Sequence, residues 1–182
     1  MKAVDKYLFQ ALDNYPYSLV ETIESLDYAL AYNEKSTMAL CLYGRVHAEQ
    51  LQDYEEAKRF FQEALAINVY AVVVYPYFIE TLLLNEDLDE AMKLIDFALT
   101  LKGIDKAVIM LKKVTLLEKQ KEIKAALELL KEVKLLATNN DNDYQIEETE
   151  KRLKAKEELL EPKKKDKSKK DKDEKAKRKK NK

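Results

Sequence analysis

Two side chains in this chain of 182 residues could support nucleophilic chemistry, and each type occurs once: Cys41 and His47. A thiol–imidazole pair needs both groups on one face of their element, within hydrogen-bond reach. The two stand six positions apart on one predicted helix, which turns them about 120° from each other at roughly 3.6 residues per turn. His47 falls at a core-facing position suited to a large ring, so it reads as a packing residue. No His/Cys cluster has metal-ligand spacing. With only two glycines, Gly44 and Gly103, a glycine-rich phosphate loop cannot form. The many Asp and Glu fall mainly on predicted solvent faces and turns, where they cap and solvate helices. The sequence therefore predicts no catalytic residue, no metal, no cofactor and no enzyme activity.

The other chemistry is electrostatic. Residues 163–182 hold 13 Lys or Arg against 4 Asp or Glu, a balance of +9, which leaves 20 basic and 30 acidic residues in the preceding body. The formal net charge of −1 hides this split. Lys163, Lys164, Lys165, Lys177, Arg178, Lys179 and Lys180 are the candidate contacts to a polyanion such as RNA, a ribosome or another phosphate-bearing surface. The excess of Lys over Arg and the lack of aromatic residues disfavour bidentate phosphate recognition and base stacking. Lys-Ala-Lys-Arg-Lys-Lys, which contains Lys177 to Lys180, resembles a nuclear-import signal. The segment lacks apolar residues except Ala176, so 162–182 is expected to be a disordered Lys-rich tail.

In the body of the chain one five-residue pattern recurs at offsets of 0, 3, 7, 10 and 13. It reads Leu19-Thr22-Leu26-Ala29-Tyr32, Tyr54-Ala57-Phe61-Ala64-Ile67, Leu88-Ala91-Ile95-Ala98-Leu101 and Ile123-Ala126-Leu130-Val133-Leu136, and successive copies start 35, 34 and 35 residues apart. Steps of three and four keep a copy on one helix face. The constant period predicts one helical hairpin repeated, with small residues that let neighbouring helices approach. A first helix is predicted before each pattern, carried by Val4, Leu8, Phe9 and Leu12; by Leu40, Tyr43, Gly44 and His47; by Tyr75, Phe78, Ile79 and Leu82; and by Met110, Val114 and Leu117. Corners are predicted at Asn14 with Pro16, Gln52 with Asp53, Asn85–Asp87 and Gln120–Glu122, with a left-handed position at Gly103. Val69 to Phe78, dense in Val and Tyr, has strand character, but the repeat phase predicts a helix start there, with Pro76 in its first turn.

Hydrophobic content of 46% with 2 Gly and 3 Pro suits long helices joined by brief corners. One cysteine agrees with a reducing, cytoplasmic location. No stretch reaches the roughly 20 apolar residues of a membrane span, and no signal peptide is expected. After a polar loop, a helix over 143–161 is predicted as a cap. Ile146, Leu153 and Leu160 fall on a seven-residue spacing, and Glu147/Lys151, Glu148/Arg152 and Glu150/Lys154 can pair.

These residues resemble the tetratricopeptide repeat, a 34-residue helix–turn–helix. The second copy carries the resemblance best: Gly44 at the crossing of two helices, Asp53-Tyr54-Glu55-Glu56-Ala57 as the turn and helix start, then Phe61, Ala64, Leu65 and Asn68. The third repeats it as Asp87-Leu88-Asp89-Glu90-Ala91, Ile95, Ala98 and Leu99. The usual Trp is Leu40 or Tyr75, the consensus proline is missing, and the second copy has one extra residue before its turn. The resemblance implies an all-α fold: a right-handed α-α superhelix of about four hairpins (2–35, 36–69, 70–103, 104–137) within a domain 1–137, followed by the capping helix and the tail.

It also implies a non-catalytic scaffold that grips a protein or peptide in a groove lined by the first helices. Lys6, Gln10, Met38, Cys41, Arg45, Val73, Glu80, Leu83, Leu111 and Thr115 are the expected lining, with Ala48 and Glu118 nearby. One family subset clamps a C-terminal carboxylate with Lys and Asn. Lys6 fits one such place, but Gln10 and Leu42 stand where Asn would be needed, so that role is not expected. The competing reading is a nucleic-acid- or ribosome-associated protein whose tail is the main binding element.

Overall fold

The computed structural model describes residues 5–136 and 142–160, which form nine α-helices and no strand. They are α1 (Lys6–Asn14), α2 (Leu19–Tyr32), α3 (Thr37–Arg45), α4 (Tyr54–Ile67), α5 (Val74–Leu84), α6 (Leu88–Ala98), α7 (Lys106–Lys119), α8 (Ile123–Leu136) and α9 (Asp143–Leu160). A π-helical segment, Val46–Leu51, continues α3. Helix starts follow from capping: Asp5 accepts from the Tyr7 and Leu8 amides, Ser36 from Ala39, Asp53 from Glu56 and Asp105 from Val108.

The five-residue pattern lies on α2, α4, α6 and α8, each of which begins on the first residue of a copy; only Leu101, the last residue of the third copy, falls outside its helix, in the turn after α6. The three central positions are buried in all four copies: Thr22, Leu26, Ala29; Ala57, Phe61, Ala64; Ala91, Ile95, Ala98; Ala126, Leu130, Val133. The fifth position is exposed at Tyr32, Ile67 and Leu136, where the helix runs past its neighbours, and buried only at Leu101.

Helices pack first on their chain neighbours, as α1 on α2, α3 on α4, α5 on α6 and α7 on α8. Alternate members α1–α3, α3–α5 and α5–α7 also touch. The corners of the second, third and fourth pairs share one geometry. Gln52, Glu86 and Lys121, 34 and 35 residues apart, take left-handed φ values of 55°, 63° and 66°. The Asp87 amide donates to the Leu82 carbonyl and the Glu122 amide to Leu117, each five residues back, both at 2.9 Å. In the second pair the Asp53 amide donates to His47, six residues back, at 2.9 Å. The extra residue is therefore absorbed by the wider π turn.

α5 begins at Val74, within the predicted stretch, after turns over Ala71–Val74 closed by Ala71 N–H to Asn68 O and Val74 N–H to Ala71 O. Pro76 lies in its first turn, where no intrahelical amide is required. Several expectations change. Gly103 is left-handed (φ 85°), but α6 ends earlier, at Ala98. Phe9 and Leu12 are exposed rather than core, and Val4 lies outside the described residues. The interior is not one continuous cluster. One cluster runs from Ala11 to Leu116 and a second joins α7, α8 and α9. α7 serves both, with Ile109 and Leu116 on the first and Ala107, Leu111 and Val114 on the second.

α9 packs on α8 through Ile146 and Leu153, while Leu160 is exposed because it lies past the end of that contact. Its Arg152 does not pair along its own helix. It forms a bidentate pair with Glu118 of α7, Nε to Oε1 at 2.8 Å and Nη2 to Oε2 at 2.9 Å, and Lys156 adds a third contact at 2.8 Å. The Lys-rich contacts from Lys163 to Lys180 lie outside the described residues.

Candidate functional site

Where α3 with its π segment, α5 and α7 converge, a cavity of about 630 Å³ opens, lined by Arg45, Ala48, Glu49, Phe61, Val73, Pro76, Tyr77, Glu80, Thr81, Leu84, Val108 and Lys112. Its apolar walls come from Phe61, Val73, Pro76, Leu84 and Val108. Its polar groups are already neutralised in pairs: Arg45 Nε lies 2.9 Å from Glu49 Oε1, and Lys112 is paired with Glu80. Such a surface presents apolar area between two compensated ion pairs and carries no net field of one sign.

Arg45 is the most constrained of these side chains. Its guanidinium lies between two tyrosine rings, 4.7 Å from the centroid of Tyr15 and 4.2 Å from that of Tyr77. The Tyr15 hydroxyl donates to the second oxygen of Glu49. The π turn matters here, because Ala48 and Glu49 lie in it and so reach the cavity beside Arg45. Burial, and then the bond to Glu49, pushes the Tyr15 phenol up to about 12. Burial alone would lower the pKa of Arg45, but the Glu49 hydrogen bond and charge outweigh it, so Arg45 stays firmly cationic.

Of the residues expected from sequence, Arg45, Val73 and Glu80 line this cavity, with Ala48. Cys41, Leu83 and Leu111 do not: each is buried, because the first helices are covered by their own partner and by neighbouring first helices at once. Lys6 and Gln10 are exposed on α1, away from the lining; Met38 is partly exposed at the start of α3. Thr115 is half-buried and turns its hydroxyl to the Leu111 carbonyl at 3.2 Å. Glu118 is taken up by α9.

Tyr15, Glu49, Tyr77, Val108 and Lys112 escaped the sequence reading. The period could have found two of them, since Val108 stands 35 residues after Val73 and Lys112 35 after Tyr77. Glu49 also stands 35 residues before the lining residue Leu84, but its place in the π turn and that of Tyr15 in a corner hid their approach to Arg45.

Burial pushes the Cys41 thiol up to about 12, so it supplies no thiolate near neutral pH. His47 lies among the rings of Phe60 (5.3 Å) and Tyr43 (6.1 Å), with Nδ1 3.9 Å from Asp53. Among the described residues no group of three or more His, Cys, Asp or Glu is arranged to hold a metal ion, and no helix is long and apolar enough to cross a membrane. No family model matches the chain, and no curated protein matches it.

Proposed function

We propose that the chain is a non-catalytic, cytoplasmic interaction scaffold of tetratricopeptide-like build, its four hairpins arranged as a right-handed solenoid. It takes a partner peptide or helix in the cavity between α3, α5 and α7. The observation that carries this reading is the cavity itself: its size falls within the roughly 300–1,000 Å³ of binding clefts, its walls are apolar, and Arg45 is preset between Tyr15 and Tyr77. Tyr and Arg in a sheltered apolar setting are the side chains that dominate binding energy at interfaces. A partner segment would place an apolar anchor against Val73 and Val108 and its flanking polar groups beside the two ion pairs.

The Lys-rich stretch 163–182 would add weak, salt-sensitive contact to RNA, a ribosome or another polyanion. Its charge of +9 also supports the second reading, in which it is the main binding element.

The test uses peptides selected from a random display library on the full chain. Under the scaffold reading, Val73→Asp weakens selected peptides at least about tenfold, the equivalent of one lost apolar anchor, and removal of 163–182 changes little. Peptides that bind Val73→Asp as tightly as the parent chain would refute it. Loss of binding only on removal of 163–182 would favour the second reading.

A further inference from the structure

The two ends of the helix array are finished differently. At one end α9 covers the last pair and buries Ile146 and Leu153 against it. At the other, α1 turns Phe9 and Leu12 to solvent, 55% and 39% exposed. These two stand five and two residues before the end of α1, as Ile79 and Leu82 stand before the end of α5, and Ile79 and Leu82 are completely buried. The difference lies in neighbours. α5 is packed by α3 and α4 on one side and α6 and α7 on the other, whereas α1 packs on α2 and α3. Phe9 and Leu12 thus occupy positions that are core in the interior of the array, and among the described residues no helix covers them here.

The polar residues around them are self-complementary. Lys6, Phe9, Gln10 and Asp13 follow at helical steps along one exposed stripe of α1. Among the described residues neither Lys6 nor Asp13 forms an ion pair. An antiparallel twofold placed between Phe9 and Gln10 sets each Lys6 against Asp13 of a second copy, with the Phe9 rings crossing Gln10 at the axis. A twofold contact needs this kind of patch, one that complements itself. The segment 163–182 offers no apolar residue but Ala176 and cannot fill the same place.

We propose that this face of α1 is the docking site of a second copy of the chain, in an antiparallel α1–α1 dimer. Sedimentation of the full chain over a concentration series tests it. The parent chain should move from one to two chain masses as concentration rises. Phe9→Asp should raise the dimer dissociation constant at least about tenfold with unchanged helix content, since Phe9 is largely exposed within one chain. Lys6→Glu should weaken the dimer and Lys6→Glu with Asp13→Lys should restore it. A parent chain that stays monomeric, a dimer indifferent to Phe9→Asp, or a double charge variant as weak as the single would each overturn the proposal.

Discussion

Gly44 lies directly against the ring of Phe61: a Cβ built on Gly44 would stand 2.7 Å from Cε1 and 2.8 Å from Cζ of that ring. Phe61 is completely buried and stacks on Phe78 at a centroid distance of 5.5 Å, so the new methyl must displace that ring. Gly44→Ala should therefore destabilise the chain by about 1–3 kcal/mol, the range of overpacking a filled core, despite the better helix propensity of Ala. Urea unfolding followed by circular dichroism checks it. Phe61→Leu should recover part of the loss in the double variant, because a shorter side chain clears the new methyl.

Lys121 is exposed, pairs with no carboxylate among the described residues, and holds φ at 66°. A residue with a Cβ in that region costs on the order of 1 kcal/mol that glycine does not. Lys121→Gly should then raise thermal stability slightly, against the usual effect of introducing glycine. The same exchange at Lys119, the last residue of α7, should lower it, since there glycine only loosens a helical residue. Parallel thermal melts of the two variants separate backbone strain from loss of charge.

Stability should fall as pH rises from about 10 to about 12. Tyr15 titrates near 10 in an unfolded chain but only near 12 when folded. Across that window the unfolded chain has released the proton while the folded one holds it, so the contribution is whole below 10 and lost above 12. Cys41, raised to about 12 by burial, acts in the same direction from about 9 upward. Tyr15→Phe should flatten the alkaline decline without abolishing it. Urea midpoints at several alkaline pH values give the slope.

The end of the array held by α9 should loosen at low pH. The Arg152 hydrogen bond, opposed by burial and aided by Lys156, holds the Glu118 carboxyl below the usual carboxylate range. Its pairing is therefore complete above the unfolded value near 4.3 and is lost as pH falls through the folded one. Glu118→Ala removes the one carboxylate that Arg152 and Lys156, each about half exposed, share across α7 and α9, so the loss is that of the charge-assisted bonds themselves. Hydrogen exchange should speed up in α9 and stay unchanged in α2 and α4. Equal rates in parent and variant would show that Ile146 and Leu153 alone hold the helix.

Most of the helical pattern was legible because it rests on periodicity, which burial enforces. Ala57 and Ala91 had to be covered if their helices packed, and both are. The corners were legible from their polar residues: Asp53 caps α4 with its side chain, whereas Asp87 precedes α6 with its carboxylate turned to Lys58 and Asn85. What depends on the number of neighbours was not legible. Phe9 and Leu12 have the spacing of a core face yet lie at an end of the array, and Cys41, Leu83 and Leu111 lie on helices covered from several sides. The extra residue before the second corner was visible, but its resolution as a π turn that brings Ala48 and Glu49 to the cavity was not. Arg152 had Glu148 as a partner within its own helix, and only the approach of α7 decides for Glu118.

The central claim is that a partner segment lies between α3, α5 and α7. Backbone chemical-shift mapping of the full chain with a display-selected peptide tests its location directly. Saturable shifts should concentrate on Arg45, Val73, Tyr77, Thr81 and Val108, with α2, α4 and α6 away from the cavity undisturbed. Shifts confined to the outward faces of α2, α4, α6 and α8, or to residues 163–182, would contradict it.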